Sequence, residues 1–303
     1  MRREDRGNKS KLSSPFNYLA GYALIQPRDY QRMRPDSEEF IMATISGLKG
    51  RVAIVTGGGN GIGRSISLRL AREGVSLAIC DVNDERAEKV AEEIRAIGSE
   101  TLVVKTDVSK YSDVKFAVQE TVEKFGRLEI LVNNAGIGYA TGSLLDPSHA
   151  LIENLTEDEW DRVLSVNLKS VFLFSREVAP LMKRQRWGKI VSIASVAGLT
   201  GGGSKGGSGP AYGASKAGII NFTKTLARQL GPYNVNVNCV APGSVPETAF
   251  TMSNDEIEEE LVDQPLKRVG KALDIAEAVT FLCSDSASWI TGQTLSVNGG
   301  RVM

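Results

Sequence analysis

The chain has 303 residues, and Lys plus Arg equals Asp plus Glu at 36 each, which argues against nucleic-acid or anionic-membrane binding driven by bulk charge and leaves only a local patch open. A hydrophobic share of 42% with 24% charged residues excludes general disorder, and no apolar run reaches the length of about eighteen residues that a membrane span needs. The single histidine, His149, excludes a multi-histidine metal site, and no other metal site is expected. Three scattered cysteines, Cys80, Cys239 and Cys283, read as reduced core residues of a cytoplasmic protein and not as a disulfide framework.

Residues 1–46 mix both charge signs with scattered aromatics and show no sustained periodicity. They read as a mobile, disordered extension, or as sequence upstream of a start near Met42, with an ordered arm on a partner subunit as the alternative. From Gly47 the pattern changes. Seven short β-branched runs predict strands at Arg51–Val55, Ser76–Cys80, Thr101–Lys105, Glu129–Val132, Lys189–Ile193, Val235–Val240 and Thr294–Val297. Amphipathic segments lie between them. In Asp84–Gly98 the apolar residues Ala87, Val90, Ala91, Ile94 and Ile97 recur at helical spacing, and Gly98 marks the stop. Alternating strand and helix predicts right-handed crossovers and one α/β domain over residues 47–303. Its core is a Rossmann-like, doubly wound parallel sheet of about seven strands with helices on both faces.

The first strand runs into Thr56-Gly57-Gly58-Gly59-Asn60-Gly61-Ile62-Gly63 and then directly into a helical period. A glycine-rich strand-to-helix turn lets backbone N–H groups approach a phosphate, and the helix N-terminus adds its positive dipole end. The spacing is neither Gly-x-Gly-x-x-Gly nor a P-loop, and a purely structural tight turn is the competing reading. Asp81 follows the second strand, eighteen positions after Gly63. A carboxylate there accepts both ribose hydroxyls of an adenosine and repels a 2′-phosphate, so NAD is favoured over NADP; the alternative is a residue that only caps a turn.

Tyr212 and Lys216 are four apart and fall on one helical face. A neighbouring ammonium favours the phenolate, which predicts a lowered tyrosine pKa and proton exchange near neutrality. Ser195, after the fifth strand, can hydrogen-bond a substrate oxygen. By itself Tyr-x-x-x-Lys is common and reads as a helix-surface pair.

In order along the chain, Thr56–Gly63, Asp81, Asp107-Val108, Asn133-Asn134-Ala135-Gly136, Asn167, Ser195, Tyr212–Lys216, Pro242-Gly243, Thr291-Gly292-Gln293 and Val297-Asn298-Gly299-Gly300 resemble the short-chain dehydrogenase/reductase family, in its compact NAD(P)-dependent form. The resemblance spans residues 47–303. It implies that Tyr212 is the general acid/base, that Ser195 steadies the same oxygen, and that Lys216 holds the nicotinamide ribose while lowering the tyrosine pKa. Asn167 would keep a water in a proton relay to Lys216. Gly57, Asn60, Gly61, Ile62 and Gly63 would cradle the phosphates, and Asp107 and Val108 would flank the adenine. Asn134, Ala135 and Gly136 would underlie the cofactor. Pro242, Gly243, Val245 and Thr248 would meet the nicotinamide end. A homotetramer is implied as well, with the helices around Asn167–Met182 and Tyr212–Leu230 pairing across subunits.

Three segments depart from the shared pattern and predict where specificity lies. The stretch from Leu199 to Gly209 is long and glycine-rich, Gly138–Asn154 carries Tyr139 and His149, and Ser244–Gln264 carries acidic residues from Asp255 to Asp263 that read as a solvated helix face or as an acidic lid over the substrate. Thr248 also sits one position later than the pattern places it. An acidic lid is an unfavourable dock for an acidic carrier protein. The expectation is therefore an NAD(H)-dependent oxidoreductase interconverting a small secondary alcohol and a ketone. A 3-oxoacyl thioester reductase using NADPH ranks second, and a non-catalytic nucleotide-binding scaffold third.

Overall fold

A computed structural model describes residues 47–138, 151–201, 209–246, 257–258, 261–262 and 264–303. The chain divides after Ala43, and Thr44–Met303 is one compact unit. Seven strands, β1 (Val52–Thr56), β2 (Ser76–Asp81), β3 (Thr101–Lys105), β4 (Ile130–Asn133), β5 (Gly188–Ile193), β6 (Val235–Pro242) and β7 (Thr294–Val297), form one sheet in the order β3-β2-β1-β4-β5-β6-β7. Every pairing is parallel. The doubly wound α/β fold is as the sequence predicts.

The period-2 alternation of each strand feeds two separate cores. Ala53 and Val55 of β1, with Leu77 and Ile79 of β2, pack under α1 (Gly61–Arg72), α2 (Asp84–Ile97) and a C-terminal helix (Ala272–Cys283) through Ile66, Leu70, Val90, Ile94, Ile275 and Val279. Val52 and Ile54, with Ala78 and Cys80, face α3 (Tyr111–Phe125) and two further helices through Val114, Phe174, Val178, Met182 and Leu226. Those two are α5 (Ser170–Gln185) and α6 (Pro210–Leu230), and α4 (Glu157–Leu164) precedes α5 in the chain. The C-terminal helix is α7.

Strand order reverses between β1 and β4, whose C-terminal ends open the crevice where ligands bind in such sheets. Buried Arg69 of α1 pairs with Glu73 and reaches Glu277 of α7 at 2.8 Å, which fastens α1 beneath the glycine turn. All three cysteines are buried and free, and burial pushes the thiols of Cys80 and Cys283 up to about 12, so both stay protonated. Among the described residues no helix is long and apolar enough to cross a membrane.

The strand ends differ from the sequence expectation by one or two residues. β1 and β2 take in Thr56 and Asp81, and β6 runs on to Pro242, because the neighbouring strands continue the ladder as Thr56↔Cys80, Asp81↔Lys105 and Pro242↔Val297. The expectations for residues 1–46, for Tyr139 and His149, for Thr248 and for most of the acidic lid fall outside the described residues.

Candidate active site

The nucleotide end is built where β1 stops. Gly57 takes φ +61°, which favours glycine, and a Cβ there would fall 2.9 Å from the Ala135 Cα. One turn into α1, a Cβ on Gly63 would lie 2.0 Å from the Gly57 carbonyl oxygen, so strand end and helix start meet backbone to backbone. Asn134 ties this turn to β4. Its side-chain amide donates to the carbonyls of Thr56 and Gly57 at 3.0 and 3.1 Å. The Thr56 hydroxyl accepts the N–H groups of Asn134 and Ala135, both at 3.0 Å.

Together with Arg64, Arg86 and Lys89, Gly59 and Asn60 line a concavity beside the N-terminus of α1. Asn60, its N-cap, makes no side-chain capping bond, and the first turn carries no acid. The leading N–H groups of a helix have no partner within it, so Gly61, Ile62 and Gly63 present donors that suit a pyrophosphate. Asp81 lies against this turn. One carboxylate oxygen accepts the Gly59 N–H and the other the Asn83 N–H, each at 3.0 Å, and a Cβ on Gly59 would strike that carboxylate at 2.9 Å. Asp81 therefore holds the glycine turn against the β2–α2 loop. Both the turn reading and the nucleotide reading of its sequence position are compatible with this geometry. The residues fit a nicotinamide dinucleotide.

Asp107 is locked by its neighbours. Burial raises its carboxyl, but the Ser109 hydroxyl at 2.6 Å and the Ser109 N–H at 3.1 Å outweigh that and bring its pKa down. Val108 is buried in the core shared with α3. Gly243 donates its N–H to the Val297 carbonyl at 3.0 Å, and Val245 is buried beside Gly270. Pro242 ends β6 and accepts the Val196 N–H at 3.0 Å, joining this end of the crevice to the Ser195 turn.

Ser195, Tyr212 and Lys216, the candidate reacting groups, gather at the C-terminal end of β5. Ser195 lies two residues beyond the strand, where its hydroxyl accepts the Ala197 N–H at 3.1 Å and starts the single helical turn Ala197–Thr200. That turn packs on α6 at Gly198, where a Cβ would fall 2.7 Å from the Lys216 carbonyl carbon. The close approach brings Ser195 into a hydrogen bond with Tyr212, which stands in the first turn of α6. Lys216 is buried, donates from Nζ to the Ile193 carbonyl at 2.8 Å, and lies over the Tyr212 ring at 5.4 Å from its centroid.

The electrostatics correct one expectation. Burial pushes the Tyr212 phenol up, and the bond to Ser195 only partly opposes this; Lys216 does not lower it. The lysine is bound to a main-chain carbonyl and faces the ring, and burial brings its own ammonium down to about 8.

Asn167 sits in a π-helical turn, Ser165–Lys169, between α4 and α5, and is fully buried. Its Oδ1 accepts the Ile137 N–H at 2.8 Å, and its Nδ2 donates to the Ile137 carbonyl at 2.9 Å and to the Ser215 hydroxyl at 3.1 Å. A Cβ on Gly136 would meet both the Asn167 Oδ1 and the Lys216 Nζ at 3.4 Å, so those atoms are at most twice that distance apart across an unfilled position. The sequence reading missed Ser215, Gly198 and the Ile137 main chain. Ser215 was visible only as a small residue inside the Tyr-Lys segment.

The family model described as enoyl-(acyl carrier protein) reductase matches residues 57–301. The chain is a member of the short-chain dehydrogenase/reductase family. It is 42% identical over 253 residues to 3-oxoacyl-[acyl-carrier-protein] reductase of Staphylococcus epidermidis, covering 83% of this chain and 98% of that protein. The protein of the same name from Thermotoga maritima is 37% identical over 258 residues, with 84% and 99% covered. Among solved structures, levodione reductase superposes with a TM-score of 0.75 at 34% identity, over 84% of this chain and 98% of that one. A 7α-hydroxysteroid dehydrogenase complexed with NADH and 7-oxo glycochenodeoxycholic acid also superposes at 0.75, with 32% identity over 84% and 94%. This family member is an NAD(P)-linked oxidoreductase acting on carbinol or keto carbons.

Proposed function

We propose that the protein reduces the 3-oxo group of an acyl thioester with NAD(H) as the nicotinamide partner. The observation that carries this is the convergence of Ser195, Tyr212, Lys216 and Asn167 in a chain 42% identical across 98% of a protein named for that reaction. The sequence alone ranks a free alcohol–ketone pair first, and the relatives reverse that order. When bound, the dinucleotide supplies the hydride. The chain does the rest. The Ser195 hydroxyl and the Tyr212 phenol hold the carbonyl oxygen, and Tyr212 delivers the proton as that oxygen becomes a carbinol. A phenol raised by burial stays protonated at neutral pH, as an acid for reduction requires. Lys216 keeps a positive charge over the phenol ring and presents donors to a ribose hydroxyl.

Asp81 supports the nucleotide choice. Each of its oxygens accepts one backbone N–H and keeps a lone pair for a ribose hydroxyl, while its charge opposes a 2′-phosphate. The likeness to levodione reductase and to the hydroxysteroid dehydrogenase favours a second reading, a free ketone or secondary alcohol as substrate. A cytoplasmic homotetramer paired through α5 and α6 belongs to the same proposal.

The test is a rate panel read by nicotinamide absorbance. Short 3-oxoacyl thioesters are set against cyclic ketones, each with NADH and NADPH. A kcat/KM at least about tenfold higher on the thioester is expected, equivalent to about 1.4 kcal/mol of transition-state discrimination. A higher value on the free ketone overturns the thioester reading in favour of the second, and preference for NADPH overturns the assignment to Asp81.

A further inference from the structure

We infer that Ser215 is a positioning residue that locks the acid/base tyrosine to the asparagine of the π-helical turn. The inference rests on the Tyr212 chemistry proposed above. Ser215 is fully buried and has no route to substrate, so whatever it does for turnover it does through its neighbours. Its hydroxyl bonds in two directions. It donates to the Tyr212 carbonyl at 2.7 Å and accepts from the Asn167 Nδ2 at 3.1 Å.

Asn167 has no freedom to find another arrangement. Its Oδ1 and the second Nδ2 proton are both committed to the Ile137 main chain at the end of the β4 loop. Among the described residues, the Ser215 hydroxyl is the hydrogen-bonded bridge from that amide to α6. Three elements are thereby joined at one oxygen: the β4 loop through Ile137, the π-helical turn through Asn167, and the first turn of α6 through Tyr212.

The placement matters because Tyr212 sits in the opening turn of α6, where the leading N–H groups have no partner within the helix and Gly209, the N-cap, supplies no side-chain bond, so contacts from outside the helix hold this turn. Ser215, one residue before Lys216, adds its hydroxyl to the Tyr212 carbonyl and ties this turn to Asn167, so phenol and ammonium keep a single separation. The same hydroxyl orients Asn167, whose Oδ1 borders the position beside Gly136 that Lys216 also borders. Removing the hydroxyl leaves a buried amide donor unpaired and unties the first turn of α6 from Asn167.

The substitutions are Ser215→Ala and Ser215→Thr in the full chain, assayed on the carbonyl substrate that the wild type reduces fastest. A displacement of the acid near 1 Å costs on the order of 10–100-fold in rate. For Ser215→Ala we expect kcat to fall by about that factor, with KM and the NADH dissociation constant within about twofold of wild type. Ser215→Thr keeps the hydroxyl and should recover most of the lost kcat. A Ser215→Ala kcat within twofold of wild type overturns the inference. So does a loss matched by weaker NADH binding, or a Thr variant no better than Ala, since each marks a packing role. If the Ala variant does not fold, Ser215→Cys is judged by the same thresholds. Tyr212→Phe run alongside separates the two levels: turnover retained there defeats the acid/base reading itself, whereas the Ser215 variants decide only the positioning.

Discussion

Replacing Gly63 by Ala tests whether the cofactor turn depends on backbone contact between β1 and α1. The added methyl would stand 2.0 Å from the Gly57 carbonyl oxygen and 2.5 Å from the Asn134 side-chain nitrogen. Carbon atoms do not settle closer than about 3 Å, so strand end and helix start must part by about 1 Å. Overpacking of this kind costs about 1–3 kcal/mol. Displacing Asn134 also disturbs its bonds to the Thr56 and Gly57 carbonyls at 3.0 and 3.1 Å, adding about 1–3 kcal/mol for polar groups left unpaired. Alanine returns up to about 1 kcal/mol through helix propensity. The expected net loss is about 1–6 kcal/mol, measured by urea unfolding. NADH binding, followed by fluorescence titration, should weaken at least about tenfold, because the same shift misaligns the donors of Gly61 to Gly63. A Gly63→Ala protein within about 0.5 kcal/mol of wild type and binding NADH equally well would refute the reasoning.

Three further outcomes follow from the site. Tyr212→Phe should lower kcat by about 10²–10⁴-fold while the NADH dissociation constant stays within about twofold; normal turnover would remove the tyrosine from the chemistry. Asp81→Asn keeps an acceptor for the Gly59 N–H but drops the charge, so the NADP-to-NAD ratio of kcat/KM should rise by about tenfold or more, and an unchanged ratio would show that the charge does not select the nucleotide. The third concerns pH. The Lys216 ammonium has a folded pKa near 8 against an ordinary 10.5, so the penalty of burying its charge is fully present below pH 8. Between pH 8 and 10.5 the unfolded chain binds more protons at this residue, and folding stability rises with pH by at most about 3 kcal/mol. Lys216→Met should lack that increment, so urea unfolding at pH 7 and pH 10 should show the wild type gaining on the variant; parallel curves would contradict the burial argument.

Local pattern was enough for the sheet, since each strand's alternation is set by which face a side chain occupies. Ala53 and Val55 turn to one core, and Val52 and Ile54 to the other, whatever lies at a distance. Gly57, Gly63, Asp81, Tyr212 and Lys216 were legible for a similar reason: a tight turn and a four-residue helical spacing are local constraints. Strand ends were read less well, because the neighbour decides where a ladder stops, as Val297 does for Pro242.

What only the tertiary structure decided is how distant segments meet. Gly198 lets the Ser195 turn touch α6, and Asn167 reaches both Ile137 and Ser215 from a π-helical turn that no local pattern marks. The tyrosine pKa depends on the same kind of contact. Four-residue spacing puts Lys216 on the face of Tyr212, but the Ile193 carbonyl across the site holds the ammonium over the ring, and burial raises the phenol. Sequence by itself determined the fold, because it follows from short-range periodicity, and it nominated the candidate reacting side chains through an ordered set of motifs. Their charge states and orientations needed the folded molecule, because desolvation and hydrogen bonding are set by partners tens of residues away.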